Sequence, residues 1–346
     1  MYVVVLAGGG GTRLFPLSSP ERPKPFLPLL SDETLLQRTV ARLAPLAAQK
    51  DVTVVTLGRY AALVREQLPE AAVLSEPVAR NTAAAIALAA TRIERPLDEV
   101  MLVLPADHLV TNEAEFRRVL AAAEASAAGA AGVADPLVTL GVRPSSPSRE
   151  YGYLIPRVGA TTSIDGVVAR GLDAFEEKPD EQRARMLLTQ SGVAWNAGIF
   201  LWQRRTILDA LNRHTTLVGD LTAVDDEASL ASAYEKLAGI SIDYAVLEPA
   251  AKDRKVVMLS MDAGWSDLGG WPSLLAALGG SPVGRVIKPG QEIVPGPSDL
   301  VLLRRDGKLE LTVGTAEAMS AAEPMALFAD GLSCRALISA LIDRVG

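Results

Sequence analysis

Tyr2-Val3-Val4-Val5-Leu6-Ala7-Gly8-Gly9-Gly10-Gly11-Thr12-Arg13-Leu14 decides the fold class of this chain. Its first half, Tyr2–Ala7, is a short apolar run rich in valine, the pattern of a strand buried on both faces of a parallel sheet. Its second half is four consecutive glycines. Glycine lets a backbone approach a ligand closely and take dihedrals other residues avoid, and the N–H groups of such a loop can cradle a phosphate or a base edge. Two familiar loops are excluded. A phosphate-binding P-loop needs Lys-Ser or Lys-Thr after its last glycine, and none follows. A dinucleotide fingerprint needs G-x-G-x-x-G and an acid at the end of the second strand; here Arg13 takes the last glycine's place, and Thr56-Leu57-Gly58 ends the second strand.

Downstream lies Arg22-Pro23-Lys24-Pro25-Phe26. Arg13, Arg22 and Lys24 fall close together with only Glu21 opposing, in a segment stiffened by Pro16, Pro20, Pro23 and Pro25. A stiff loop can hold a cation in one place, as stabilisation of a phosphoryl transition state requires. The plainer reading is a tight turn with solvated charges.

Beyond it, strand-like and helix-like segments alternate. Glu33–Ala48 has helical apolar spacing with Ser31 or Asp32 available as a cap. Val52–Leu57 reads as a strand, Tyr60–Leu68 as a helix and Ala72–Leu74 as a strand. Thr82–Glu94 is an alanine-rich helix capped by Asn81 or Thr82, Val100–Pro105 a buried strand and Glu113–Ala128 a helix. This order predicts a parallel sheet with helices on both faces. From about Leu137 the chain becomes richer in strands and loops: Leu137–Val142, Gly166–Glu176, Ile199–Trp202 and Val256–Leu259 are candidate strands, and Asp180–Thr189, Arg205–Arg213 and Ile242–Leu247 candidate helices. Glycine and proline are dense over Gly279–Pro297; after them come a β-like stretch, Leu300–Val313, and an amphipathic helix, Ser333–Arg344. The fold class expected is α/β, a Rossmann-like doubly wound mixed sheet, with residues 1–280 as one domain and 281–346 as a small β-rich domain ending in a helix.

Of the 346 residues, 49% are hydrophobic and 22% charged, which excludes a disordered or collagen-like chain. A net charge of −7 argues against a general nucleic-acid binder. One cysteine, Cys334, permits no internal disulfide, and two histidines, His108 and His214, permit no multi-histidine metal centre. Met1–Ala7 has no basic region or cleavage site, so it does not read as a signal peptide, and no run reaches ~18 apolar residues. A cytoplasmic protein with no nucleic-acid or membrane partner is expected.

Further polar clusters stand out. Glu76-Pro77-Val78-Ala79-Arg80-Asn81-Thr82-Ala83 leads into a helix, whose N-terminus is either an ordinary cap or a site for an anion. Asp107, in Leu104-Pro105-Ala106-Asp107-His108, follows a buried strand at the usual ligand edge of an α/β sheet and is either a helix cap or a site for Mg²⁺; His108 reads as a structural hydrogen-bonding residue. Glu150-Tyr151-Gly152-Tyr153 offers a glycine where a ligand could meet backbone. Phe175-Glu176-Glu177-Lys178-Pro179 sets a carboxylate beside a cation. Trp195-Asn196-Ala197-Gly198-Ile199-Phe200 offers an amide that can donate and accept. Each is weak alone: a solvated turn or a core strand would look the same. Asp243, in Ser241-Ile242-Asp243-Tyr244-Ala245-Val246-Leu247-Glu248, is either a substrate contact or a helix-start residue.

Taken together, GGGGTRLFPLS…RPKPFLPL resembles the signature of the nucleotide-sugar pyrophosphorylases (sugar-1-phosphate nucleotidyltransferases), and the Glu76–Ala83 box is similar to that of their mannose-1-phosphate guanylyltransferase branch. The resemblance runs from about Tyr2 to Trp271. It implies the nucleotide-diphospho-sugar transferase fold and the reaction of GTP with α-D-mannose 1-phosphate to give GDP-mannose and pyrophosphate. It assigns Arg13 and Lys24 to catalysis, and Leu6, Ala7, Gly8, Gly9, Gly10, Gly11, Thr12, Arg13, Lys24, Glu76, Pro77, Arg80, Asn81, Thr82, Ala83 and Asp107 to the nucleotide. Tyr151, Gly152, Glu177, Lys178 and Asn196 fall to the sugar phosphate, and Asp107 and Asp267 to Mg²⁺; Asp267 lies in Gly264-Trp265-Ser266-Asp267-Leu268-Gly269-Gly270-Trp271. Short bacterial members end in a small domain used for packing or homodimerisation, which Leu300–Gly346 matches in size; a cupin isomerase domain, with its histidine ligands, is not expected here. The same chemistry with another pair, such as glucose 1-phosphate with UTP or TTP, is the alternative. A catalytically dead nucleotide-sugar sensor would have lost Arg13, Lys24, Asp107 or Asp267, and all four are present.

Overall fold

The computed structural model describes residues 1–10, 12–224, 226–280, 284–314, 319–320 and 323–345. The chain divides into two compact units. One comprises Met1–Gly8, Val40–Pro105 and Val110–Trp265; the other comprises Gly9–Thr39, Ala106–Leu109 and Ser266–Gly346. Residues 9–39 and 106–109 thus cluster with the C-terminal part of the chain, a grouping that differs from the expected cut at residue 280.

The first unit is built on a nine-stranded mixed sheet. Its strands are β1 (Tyr2–Leu6), β2 (Val52–Leu57), β3 (Ala72–Glu76), β4 (Val100–Pro105), β5 (Leu137–Val142), β6 (Tyr153–Ile164), β7 (Val167–Glu176), β8 (Ala194–Gln203) and β9 (Val256–Met261). They lie in the order β3-β2-β1-β4-β8-β5-β9-β7-β6. The pairings β1–β2, β1–β4, β2–β3 and β5–β9 are parallel. β8 runs against both β4 and β5, and β7 against β9 and β6. The parallel left half is the alternating pattern expected from residues 2–105, while the antiparallel strands come from the region that reads as strand-rich. Because β1, β3 and β4 run the same way, their carboxyl ends share one edge, the edge at which α/β sheets bind ligands.

The alanine-rich helix Asn81–Arg92 buries Ala83–Ala90 completely, joining Tyr2, Val4, Met101, Val103, Phe200 and Trp202 in one core. Small side chains let it settle closely on the sheet. Arg204–His214 adds Ile207 and Leu211 to the same core.

The second unit carries a four-stranded antiparallel sheet of β10 (Gly284–Ile287), β11 (Leu300–Arg305), β12 (Lys308–Val313) and β13 (Met325–Phe328), in the order β10-β13-β11-β12. The β-like stretch expected over Leu300–Val313 is a hairpin of β11 and β12, and the closing helix is Arg335–Val345. Leu14, Leu17, Leu27, Leu29, Trp271, Phe328 and Ile338 make its core. The proline-rich segment is therefore anchored by packing, with Trp271 Nε1 donating to the Phe15 carbonyl (2.9 Å) and Arg304 to that of Pro16 (2.8 Å).

The helix expected over Glu33–Ala48 is the shorter Leu35–Ala41. Neither Ser31 nor Asp32 caps it. Thr34 and Gln37 do so reciprocally, each backbone N–H donating to the other's side-chain oxygen (2.9 and 3.2 Å), a capping box.

Candidate functional site

In the second unit Lys24 is the centre of a polar cluster. Pro23 and Pro25 set it in the single 3₁₀ turn Lys24–Phe26, and Phe26 and Leu27 enter the core beside it. Its ammonium donates to Asp107 Oδ2 (2.8 Å) and to the backbone carbonyl of Asp267 (2.7 Å). The lysine is only 5% exposed, so the plainer reading of solvated charges fails here: it is buried and ion-paired. Burial alone would raise the Asp107 carboxyl, but the charges of Lys24, His108 and Arg13 outweigh it and hold it below the usual carboxylate range. His108 Nε2 lies 4.0 Å from Asp107 Oδ1. The Asp267 carboxylate turns back on its own loop, where Oδ1 accepts from Gly269 N (3.0 Å); a Cβ at position 269 would press on Oδ2 at 2.6 Å. Arg13 is exposed on the 3₁₀ turn Thr12–Leu14. Gly9 and Gly10 are exposed as well, and Gly11 lies outside the described residues.

In the first unit the carboxyl ends of β1 and β3 bring Gly8 and Glu76 together: a Cβ on Gly8 would stand 3.1 Å from Glu76 Oε2. Leu6 ends β1, and Ala7 is spent on the sheet, its N–H donating to the Val55 carbonyl (2.8 Å) and its carbonyl accepting from Thr56 Oγ1 (2.9 Å). Glu76 is 4% exposed, and its Oε1 has no hydrogen-bond partner among the described residues. Burial pushes its carboxyl up to about 7, partly offset by the Tyr234 hydroxyl. Glu76 is thus a buried acid with an unspent oxygen, not a surface carboxylate.

The rest of this box is braced internally. Arg80 donates to the carbonyls of Tyr234 (2.8 Å) and Glu235 (2.6 Å). The N-terminus of the alanine-rich helix is not the open anion site its sequence suggested. Thr82 N donates to Asn81 Oδ1 (2.8 Å), Ala83 N to the Ile240 carbonyl (3.2 Å), and Thr82 Oγ1 accepts from Ile242 N (2.9 Å). Pro77 and Asn81 are exposed, and Asn81 takes a left-handed φ of 67° in place of the capping geometry.

The boxes expected for the sugar phosphate converge in the same unit. Asn196 N donates to the Gly152 carbonyl (2.8 Å), and the Glu177 carboxylate lies against the Cα of Gly152, where any Cβ would overlap it and would stand 2.8 Å from the Phe175 ring. Gly152 is therefore a glycine because Glu177 packs on it. Glu177 pairs with Lys178 (2.8 Å). Its backbone N–H donates to Glu248 Oε1 (3.1 Å), and Tyr244 donates its hydroxyl to the Glu177 carbonyl (3.2 Å). Tyr151 packs its ring on Trp195 (4.7 Å between centroids) and edge-on to Trp265 (5.6 Å).

Asn196 is not free to donate and accept. Its Oδ1 accepts from Thr139 Oγ1 (2.7 Å) and Gly198 N (3.2 Å), and its Nδ2 donates to Asp243 Oδ1 (2.8 Å). Both lone pairs are spent, leaving one N–H of Nδ2 for a ligand. Thr139 and Tyr234 carry no signal in the sequence; Asp243 is visible in it but undecided.

The first unit carries a mixed α/β sheet with glycines following its first strand, and the second holds a lysine on the carboxylate of one aspartate and the carbonyl of another. The family is specific: the chain belongs to the nucleotidyl transferases, whose pattern matches residues 2–280. It is 35% identical over 334 residues to the alginate biosynthesis protein AlgA of Pseudomonas aeruginosa, covering 91% of this chain and 66% of that protein. It is 38% identical over 313 residues to the mannose-1-phosphate guanylyltransferase ManC of Salmonella typhimurium, covering 83% of this chain and 61% of that one. The chain thus spans less than two thirds of the length of these relatives. A solved structure described as mannose-1-phosphate geranyltransferase, from Thermus thermophilus, matches with a TM-score of 0.70 and 35% identity over 81% of this chain and 80% of that one.

Proposed function

We propose that this chain is a mannose-1-phosphate guanylyltransferase, converting α-D-mannose 1-phosphate and GTP to GDP-mannose and pyrophosphate. The observation that carries a nucleotidyl transfer is the buried Lys24 ammonium held between Asp107 and Asp267; the substrate pair is supported by the ManC relative. The sugar phosphate oxygen attacks the α-phosphorus in line and pyrophosphate leaves. The attacking oxygen is already anionic, so no strong general base is needed. Lys24 and Arg13 neutralise charge on the triphosphate, and positioning supplies the rest of the acceleration. Glu76, with an unspent buried oxygen beside Gly8, accepts from the N–H edge of guanine. Asn196 donates its remaining N–H to the sugar phosphate, beside Glu177 and Lys178.

The donors at Lys24 suit Mg²⁺, which takes oxygen ligands and is commonly held by one or two carboxylates together with substrate phosphates. Among the described residues no group of three or more His, Cys, Asp or Glu side chains gathers. Asp107 and Asp267 would hold the ion, which when bound neutralises phosphate charge. Among the described residues no helix is long and apolar enough to cross a membrane. A cytoplasmic location and a homodimer through residues 281–346 accompany this reading.

Pyrophosphate release over a matrix of nucleotides and sugar 1-phosphates tests it. GTP with mannose 1-phosphate is expected to give the highest kcat/KM, with ATP about tenfold worse or more, since adenine leaves buried groups unpaired at ~1–3 kcal/mol each. A preference for glucose 1-phosphate with UTP or TTP overturns the named activity.

A further inference from the structure

Asp243 stands where the helix after Ile242 widens into a π turn, Asp243–Leu247, closed by Glu248 N donating to the Asp243 carbonyl. Such turns are rare inside helices and are frequent at functional sites. The orientation of the Asn196 amide is decided by backbone: Gly198 N can only donate, so the atom 3.2 Å from it is Oδ1, and the atom 2.8 Å from Asp243 Oδ1 is the donor Nδ2. Thr139 also holds the oxygen side. Asp243 is the sole partner of the nitrogen side among the described residues. Burial first, and the Glu177 carboxylate second, push the Asp243 carboxyl up to about 7.

We propose that Asp243 is a positioning residue for the transfer reaction: by accepting from Asn196 Nδ2 it fixes the amide plane, so that the one uncommitted N–H is held in a single direction for an acceptor on the sugar phosphate. The inference rests on the reading of Asn196 as a sugar-phosphate contact. Asp243 acts through Asn196 and does not itself touch the substrate.

The test is steady-state kinetics of the full chain with its best nucleotide and sugar 1-phosphate, for Asp243→Ala, Asp243→Asn, Asn196→Ala and the Asn196→Ala/Asp243→Ala double variant. Asp243→Ala should raise KM for the sugar phosphate about tenfold, the scale of one lost hydrogen bond to a positioned group, with KM for the nucleotide within about twofold. Asp243→Asn, whose amide oxygen can accept the same bond, should recover most of the loss. The double variant should be no worse than Asn196→Ala alone, because both changes remove one contact. Additive effects would place Asp243 on the substrate and overturn the proposal, as would an unchanged sugar-phosphate KM in Asp243→Ala. If Asp243→Ala fails to fold, Asp243→Ser takes its place, being polar but too short to reach Asn196; failure of both makes Asp243 structural and also overturns it. An unchanged sugar-phosphate KM in Asn196→Ala refutes the reading of Asn196 instead, which separates the two failures.

Discussion

The Glu177 carboxylate occupies the space that a side chain at position 152 would need. That single relation joins two of the sequence boxes expected for the sugar phosphate. Gly152→Ala should displace Glu177 and the Phe175 ring and raise KM for the sugar phosphate, leaving that for the nucleotide close to its starting value. Equal changes in both constants would show general damage to the fold.

Lys24 and Arg13 should behave differently. Each Ala variant is expected to lose ~10²–10³ in turnover, the usual cost of removing one positioned donor. Arg13 is exposed, so Arg13→Ala should keep its Tm. Lys24→Ala removes the buried partner of Asp107 and should lower Tm by several degrees as well. Thermal melts alongside turnover check the contrast, and near-normal turnover in a folded Lys24→Ala protein would refute the assignment.

If Asp107 and Asp267 hold Mg²⁺ for the reaction and not for the fold, chelation should abolish pyrophosphate release without shifting the melting curve. Asp107→Asn and Asp267→Asn should each raise the Mg²⁺ concentration needed for half-maximal rate, and the double change should be far from additive. Full activity in excess EDTA would count against the pair.

Glu76 gives a pH prediction with a definite sign. Its carboxyl is raised to about 7 in the folded chain, above the unfolded value near 4.5, so the folded state binds more protons across that window and stability falls as pH rises through it. Glu76→Gln removes the ionisation. The Tm of the variant relative to the parent should therefore increase from pH 5 to pH 8. A constant difference across that range would mean that Glu76 titrates normally.

The strands flanking the glycine loop were legible because β1, β2 and β4 are short valine- and leucine-rich runs with nothing to interrupt them. β6 was not. Its sequence carries Pro156 and Gly159, and its pairing with β7 slips at Ile155/Pro156 and again before Thr161. A proline is tolerated there because β6, paired with β8 at Tyr153 and Leu154, lies at the sheet edge by Pro156, a fact that only the assembled sheet supplies. The start of the alanine-rich helix misled for a similar reason: its donors are taken by Ile240 and Asn81, and the approach of residue 240 has no local trace in the sequence. Lys24 was legible as a cation on a stiff proline-rich loop and Asp107 as a carboxylate at a strand end, while Asp267 was named from resemblance alone. Their meeting at one ammonium depends on chain folding between positions 24 and 267, which no spacing encodes.

Residues 240–248 hold two boxes at once. Ile240 and Ile242 bind the helix start at Ala83 and Thr82, while Tyr244 and Glu248 bind the turn at Glu177. For protein engineering this makes the segment a poor place to retune selectivity: a change made there to admit a different sugar would loosen the frame around the base box too.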